Sequence, residues 1–170
     1  IDESFTIVKI IESRQQYPYG IVHLATHADF LENDFSNSFI QSWNEKIIID
    51  DIRELNFDAP PLELLVLSAC NTALGNTDAE LGFAGLAAKA GVKSALASLW
   101  LVSDQGTLPL IGEFYSQLKY SENASTKSEA LRQAQLKMLN DEIGVKNGKL
   151  QITGGPFDIP PELAASGTID

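Results

Sequence analysis

Leu62 to Leu67 (LELLVL) is the feature that most limits what this chain can fold into: a nearly unbroken apolar run that stops at Ser68-Ala69-Cys70. A run that is apolar on both faces fits a central strand of a sheet covered by helices on either side. Two further stretches have strand length. Ile21-Val22-His23-Leu24-Ala25-Thr26 follows the turn signal Tyr17-Pro18-Tyr19-Gly20, and Val92 to Trp100 follows Gly91.

Helical signals alternate with these runs. Thr77-Asp78-Ala79-Glu80 is a capping-box start for a helix that reaches about Ala90 and stops at Gly91. Gly82 and Gly85 lie inside it; no Gly-Lys-Ser/Thr follows, so they read as close helix packing and not as a phosphate loop. A helix is expected from about Asp104 to Lys119, with Pro109 tolerable only near its first turn. Thr126-x-x-Glu129 caps another, in which Ala130, Leu131, Ala134, Leu136 and Met138 have mostly helical spacing. Residues 4–12 (SFTIVKIIE) suit a helix or a strand equally. Residues 30–50 read as a polar loop and then a strand from Lys46 to Ile49. Asp58-Ala59-Pro60-Pro61 breaks the chain again, and the stretch from about Gly144 reads as mostly irregular. Strands alternating with helices argue for an α/β sandwich with a mainly parallel sheet.

With 170 residues the chain suits one domain over residues 1–170. Its net charge of -11 argues against nucleic acid and anionic membranes, which attract basic surfaces, and is compatible with a basic peptide. No run of 18 apolar residues is present to span a membrane, and no signal peptide is visible. The single cysteine, Cys70, excludes an internal disulfide and fits a reducing, cytoplasmic setting, where a lone thiol is either buried filler or a nucleophile. The sequence opens Ile1-Asp2, as expected of part of a longer parent chain.

Two of the expected strands end in reactive residues: Ile21–Thr26 delivers His27, and Leu62–Leu67 delivers Cys70. Sites in open parallel sheets form beyond the carboxyl ends of the strands, so adjacent strands would set His27 and Cys70 side by side. A free thiol ionises only near pH ~8.5, and a neighbouring imidazole can take its proton and later return it to a leaving amine. His23 falls in mid-strand and reads as structural. His23 and His27 form an H-x-x-x-H pair, but on a strand and without the glutamate a metalloprotease needs, so no metal and no cofactor are expected.

Ala-Thr-His-Ala around His27 and Leu-Ser-Ala-Cys-Asn-Thr-Ala-Leu-Gly around Cys70 resemble the paired motifs of the CHAT domain, a caspase-like peptidase domain found after tetratricopeptide repeats. The resemblance continues through Gly82-Phe83-Ala84-Gly85-Leu86-Ala87, Gly91 to Trp100, Val102-Ser103-Asp104, Phe114-Tyr115 and Ala130 to Gln135, covering roughly residues 20–140. It implies a three-layer caspase–hemoglobinase sandwich. It implies peptide hydrolysis by a His27–Cys70 dyad, with an oxyanion held by the backbone N–H groups of Ala28 and Cys70. Ser68, Trp100 and Asp104 would line the substrate pocket, Asp104 reading equally as a helix N-cap. Separase, metacaspase and gingipain relatives imply a basic P1 residue, and the implied partners are a protein or peptide substrate and the rest of the parent chain, with its repeats. The family's usual glycine after the histidine is Ala28 here. Should that position need positive φ, alanine would cost roughly 1 kcal/mol, and the alternative is a degenerate module used for protein–protein contact.

Overall fold

The structure, a computed structural model, describes residues 3–29, 37–48, 52, 54–68, 87–88, 90–98, 103–120 and 126–160. The chain divides into two compact units, Ile1–Leu101 and Val102–Asp170. Both mix helices and strands, in keeping with the α/β class.

The first unit opens with helix α1 (Ile7–Gln16), which resolves the ambiguous 4–12 stretch. Thr6 caps it, its Oγ1 accepting from the Lys9 N–H at 3.2 Å. Ile7 and Ile10 pack against the core, and Arg14 continues their stripe one turn further. Arg14 is buried. Its guanidinium donates to the carbonyls of Tyr19 (2.6 Å), Pro60 (2.5 Å) and Asn56 (3.4 Å) and stands 5.8 Å from the centre of the Phe57 ring. It thereby ties α1 to the turn that leads into the first strand.

That strand, β1 (Ile21–Ala25), belongs to a parallel sheet with β5 (Leu64–Ser68) and β6 (Ala95–Ala97), in the order β1-β5-β6. Leu64, Leu65, Val66 and Leu67 are all buried, as the apolar run demanded of a strand covered on both faces. Each such side chain is worth about 1.5–3 kcal/mol of burial. Leu24, Leu65 and Leu67 join one core with Ile40, Ile47, Ile52, Leu55, Phe57, Leu62, Ala87 and Ala90.

The strand expected from Lys46 to Ile49 is present as Lys46–Ile48, and the described residues before it hold an additional strand where a polar loop was expected. After β1 come β2 (Ala28–Asp29), β3 (Phe39–Gln41) and β4 (Lys46–Ile48), an antiparallel sheet in that order. These strands have two or three residues, too short to show a period in sequence. The helix expected from Thr77, with Gly82 and Gly85, lies outside the described residues except for its end. There Val92 N–H donates to Ala87 C=O and Gly91 N–H to Ala88 C=O, a Schellman stop with Gly91 at φ 75°.

In the second unit, α2 (Asp104–Tyr120) continues past a buried Pro109 at its sixth position, forgoing the backbone bond to Gln105. Ser103 is its cap: Ser103 Oγ accepts from Gly106 N–H at 3.2 Å and its carbonyl from Thr107 N–H at 2.9 Å. The capping role considered for Asp104 therefore belongs to Ser103, and Asp104 is the first helical residue. Helix α3 (Lys127–Leu139) is capped by Thr126 as expected. It buries the small residues Ala130 and Ala134, whereas Leu136 is exposed. Residues 144–158 hold more order than the mostly irregular stretch expected from Gly144. They form β7 (Gly144–Lys146), β8 (Lys149–Gln151) and β9 (Phe157–Asp158), an antiparallel sheet. Asn147 and Gly148, at φ 54° and 70°, make the two-residue turn that joins β7 to β8.

One carboxylate binds this unit together. Glu113 on α2 is 0% exposed and accepts from Lys137 Nζ (2.7 Å), Gln117 Nε2 (2.5 Å), Thr153 N–H (2.7 Å) and Thr153 Oγ1 (2.8 Å). Burial pushes its pKa up, but the bonds from Lys137, Thr153 and Gln117 outweigh burial and hold it below the ordinary 4.5.

Two measurements check these packing arguments. A Cβ on Gly91 would stand 2.5 Å from Asp58 Cβ at a φ that side chains avoid, so Gly91→Ala should cost about 1–3 kcal/mol. Urea titration should show a lower midpoint at unchanged slope. Glu113→Gln should cost about 3 kcal/mol by removing the negative charge that compensates the Lys137 ammonium, which keeps its bond to Thr153 Oγ1. Because the folded carboxyl titrates below its ordinary value, its contribution is complete above pH 4.5 and is lost as pH falls through the folded pKa. The melting temperature of the variant should lose that part of the acid dependence.

Candidate active site at the carboxyl ends of the parallel strands

The register of β1 on β5 decides what meets at the end of the sheet. Ile21 faces Leu64, His23 faces Val66 and Ala25 faces Ser68, a constant offset of 43 positions. One further bond, Thr26 N–H to Ser68 C=O at 3.2 Å, carries the pairing past the last ladder position. Ser68, partly buried, thus lies beside Thr26, the residue before His27.

At this point the chain leaves the parallel sheet for the antiparallel one. Thr26 Oγ1 donates to the Gln41 carbonyl at 2.6 Å, and Gln41 N–H donates to the His27 carbonyl at 2.8 Å. Ala28 then faces Ile40. Its methyl is buried in the core, so by strand alternation the exposed His27 and the half-buried Asp29 project from the other side. Antiparallel ladders alternate bonded and non-bonded pairs. His27 and Gln41 are bonded, so Ala28 and Ile40 are not, and the Ala28 N–H is directed away from β3.

Ala28 is therefore extended and outside the positive-φ region, and the strain foreseen for alanine here does not arise. His23 sits within β1 and is exposed by surface area, yet partial desolvation among its neighbours lowers its pKa below the ordinary 6.5. Cys70, Trp100 and the side chain of Asp104 lie outside the described residues. Among the described residues no group of three or more His, Cys, Asp or Glu side chains is placed to hold a metal ion, and no helix is long and apolar enough to cross a membrane. Thr26 and Gln41, which fix the backbone of His27, were not singled out in the sequence. Only their place at the junction of two sheets distinguishes them.

A family model for the CHAT domain matches residues 1–151 of the 170. The chain belongs to the CHAT domain family. No curated protein and no solved structure matches it significantly. The CHAT family is associated with cysteine-peptidase-like proteins, which makes this chain a caspase-like, peptidase-related module. Within the CHAT domain, the His27 motif occupies the end of β1 and the Cys70 motif begins in β5 at Leu67-Ser68.

The geometry of Ala28 has a direct test. Glycine there would remove a buried methyl and add backbone freedom without relieving strain, so Ala28→Gly should lower stability by about 0.5–1 kcal/mol. Calorimetric or urea unfolding that shows the variant to be more stable would mean that Ala28 is strained after all.

Proposed function

We propose that this CHAT domain is a cysteine endopeptidase in which His27 and Cys70 form the catalytic dyad. The register carries this reading: paired residues of β1 and β5 differ by 43 positions, and so do His27 and Cys70, each two residues beyond the last residue of its strand. Neighbouring parallel strands with that offset favour a shared site at their carboxyl ends, within a three-layer caspase–hemoglobinase sandwich.

In the proposed reaction Cys70 passes its thiol proton to the His27 imidazole, and the thiolate attacks the scissile carbonyl carbon. The oxyanion is held by the N–H groups of Ala28 and Cys70, for which the outward direction of the Ala28 N–H is suitable. The imidazolium returns the proton to the leaving amine as the C–N bond breaks. Water then hydrolyses the thioester, giving one proton to His27 and its hydroxyl to the acyl carbon, and Cys70 leaves as the thiolate. Ser68, Trp100 and Asp104 are assigned to the substrate pocket, with Lys or Arg at P1. A net charge of -11 suits a cationic substrate, and the single cysteine suits a reducing cytoplasm. The natural context is a longer parent chain, with tetratricopeptide repeats as in the family.

A non-catalytic docking role would draw its support from alanine at position 28, yet the extended backbone there accepts alanine without strain. Cleavage of Lys and Arg reporter peptides by the full chain tests the reading. Cys70→Ala and His27→Ala should each abolish turnover, and the double variant should lose little more than either alone, because the pair acts as a unit. Undiminished turnover in Cys70→Ala would sink the assignment.

A further inference from the structure

We infer that Thr26 is a positioning residue for His27: its hydroxyl fastens the crossing from the parallel to the antiparallel sheet and so fixes the imidazole's backbone against the end of β5. The inference rests on the proposed His27–Cys70 dyad and names what sets its geometry.

Thr26 is the point where two independent sheets share a residue. Its N–H belongs to the parallel sheet, donating to Ser68 at 3.2 Å, and its Oγ1 belongs to the antiparallel one, donating to Gln41 at 2.6 Å. In a regular ladder the Gln41 carbonyl would take the His27 N–H. Here Gln41 N–H still reaches the His27 carbonyl at 2.8 Å, but among the described residues the reciprocal bond is not made, and the threonine hydroxyl takes its place on the Gln41 carbonyl. The hydroxyl therefore supplies half of the pairing that holds His27. Its partner is itself well anchored. Gln41 Nε2 donates to the carbonyls of Ser42 (2.7 Å) and Glu45 (3.0 Å), Ser42 Oγ donates to Glu45 C=O (2.8 Å), and Trp43 N–H donates to Phe5 C=O (2.7 Å). Ile40 and Ile47 root the same strands in the core. Without the hydroxyl, β1 and β3 stay rooted in their shared core and keep the Gln41–His27 bond, but lose the other half of the pairing that sets one strand against the other at His27. Proton transfer between an imidazole and a thiol depends on hydrogen-bond reach, so a shift of about 1 Å matters to reactivity far more than to stability.

The thiolate fraction of Cys70 reports this geometry without requiring a substrate. The full chain, Thr26→Val, Thr26→Ser and His27→Ala are alkylated with iodoacetamide at about pH 6.5, where an unassisted thiol is nearly all protonated, and at about pH 9.5, where it is ionised in any case. Thr26→Val keeps the shape and branching of threonine and lacks only the donor; Thr26→Ala repeats the removal should the valine variant not fold. The expected result is a rate about 5-fold lower at the acid pH with the alkaline rate unchanged, and recovery in Thr26→Ser. A loss of rate at both pH values, a serine variant no better than valine, or no change in either hydroxyl-free variant while His27→Ala is slowed, would each overturn the positioning role and leave the dyad standing. If His27→Ala itself alkylates like the parent at acid pH, the dyad reading fails and takes the inference with it.

Discussion

Everything in the first unit depends on β5 being buried on both faces while parallel-paired on both edges. Its partner β1 cannot slip against it: Leu24 is buried while Ile21, His23 and Ala25 are exposed, so a shift of one residue would turn the buried face of β1 to solvent. Leu64 and Val66 fill one face and Leu65 and Leu67 the other, so the offset of 43 positions between β1 and β5 is set by packing before any functional residue is considered. Side chains at the ends of these strands inherit that register. The first residues after β1 are held by the same ladder, through the bond from Thr26 to Ser68, and this is why a rigid hydrophobic core can serve a site made at the rim of the sheet.

The chain then changes sheets within three residues, and the change explains how alanine is accommodated after His27. A turn closing on itself here would call for positive φ and favour glycine. The segment instead passes straight from one extended partner to another. Ala28 faces Ile40 with its methyl in the core, and its N–H is turned from β3 by the alternation of the antiparallel ladder. A small apolar side chain suits that position on packing grounds alone. Glycine at such a site would therefore reflect the path of the neighbouring loop more than the chemistry of the histidine.

Long, periodic or fully apolar signals were legible in the sequence because they state their environment locally. LELLVL fits a covered strand, Thr126-x-x-Glu129 fits the opening of a helix, and Gly91 fits the close of one. The segments that escaped are those whose order comes from a distant partner. β2 and β3 span two and three residues and exist through pairing with each other and with β4. The 144–151 hairpin carried a local signal, Asn147-Gly148, that the surrounding glycine and proline obscured. Arg14 is a sharper case. It extends the stripe of Ile7 and Ile10, yet it is buried, because three backbone carbonyls from positions 19, 56 and 60 converge on its guanidinium only in the folded chain.

The same division separates the two kinds of residue at the candidate site. His27 stands out in the sequence because it closely follows a strand and sits in a recognisable motif. Thr26 does not, because its hydroxyl acts on Gln41, 15 positions away, and nothing in either residue's neighbourhood announces the other. Threonine at a strand end has an ordinary reading, β-branched filler for a pleated surface. Only the joining of two sheets gives its hydroxyl a second task. Where a reactive side chain stands at the junction of a parallel and an antiparallel sheet, the residue before it belongs to both hydrogen-bonding systems. A donor on that side chain can then lock the junction in a way that backbone pairing within either sheet cannot. The strength of such a lock lies less in its energy, about 0.5–1.5 kcal/mol for an ordinary hydrogen bond, than in its direction: it restrains the one backbone segment whose orientation the imidazole must follow.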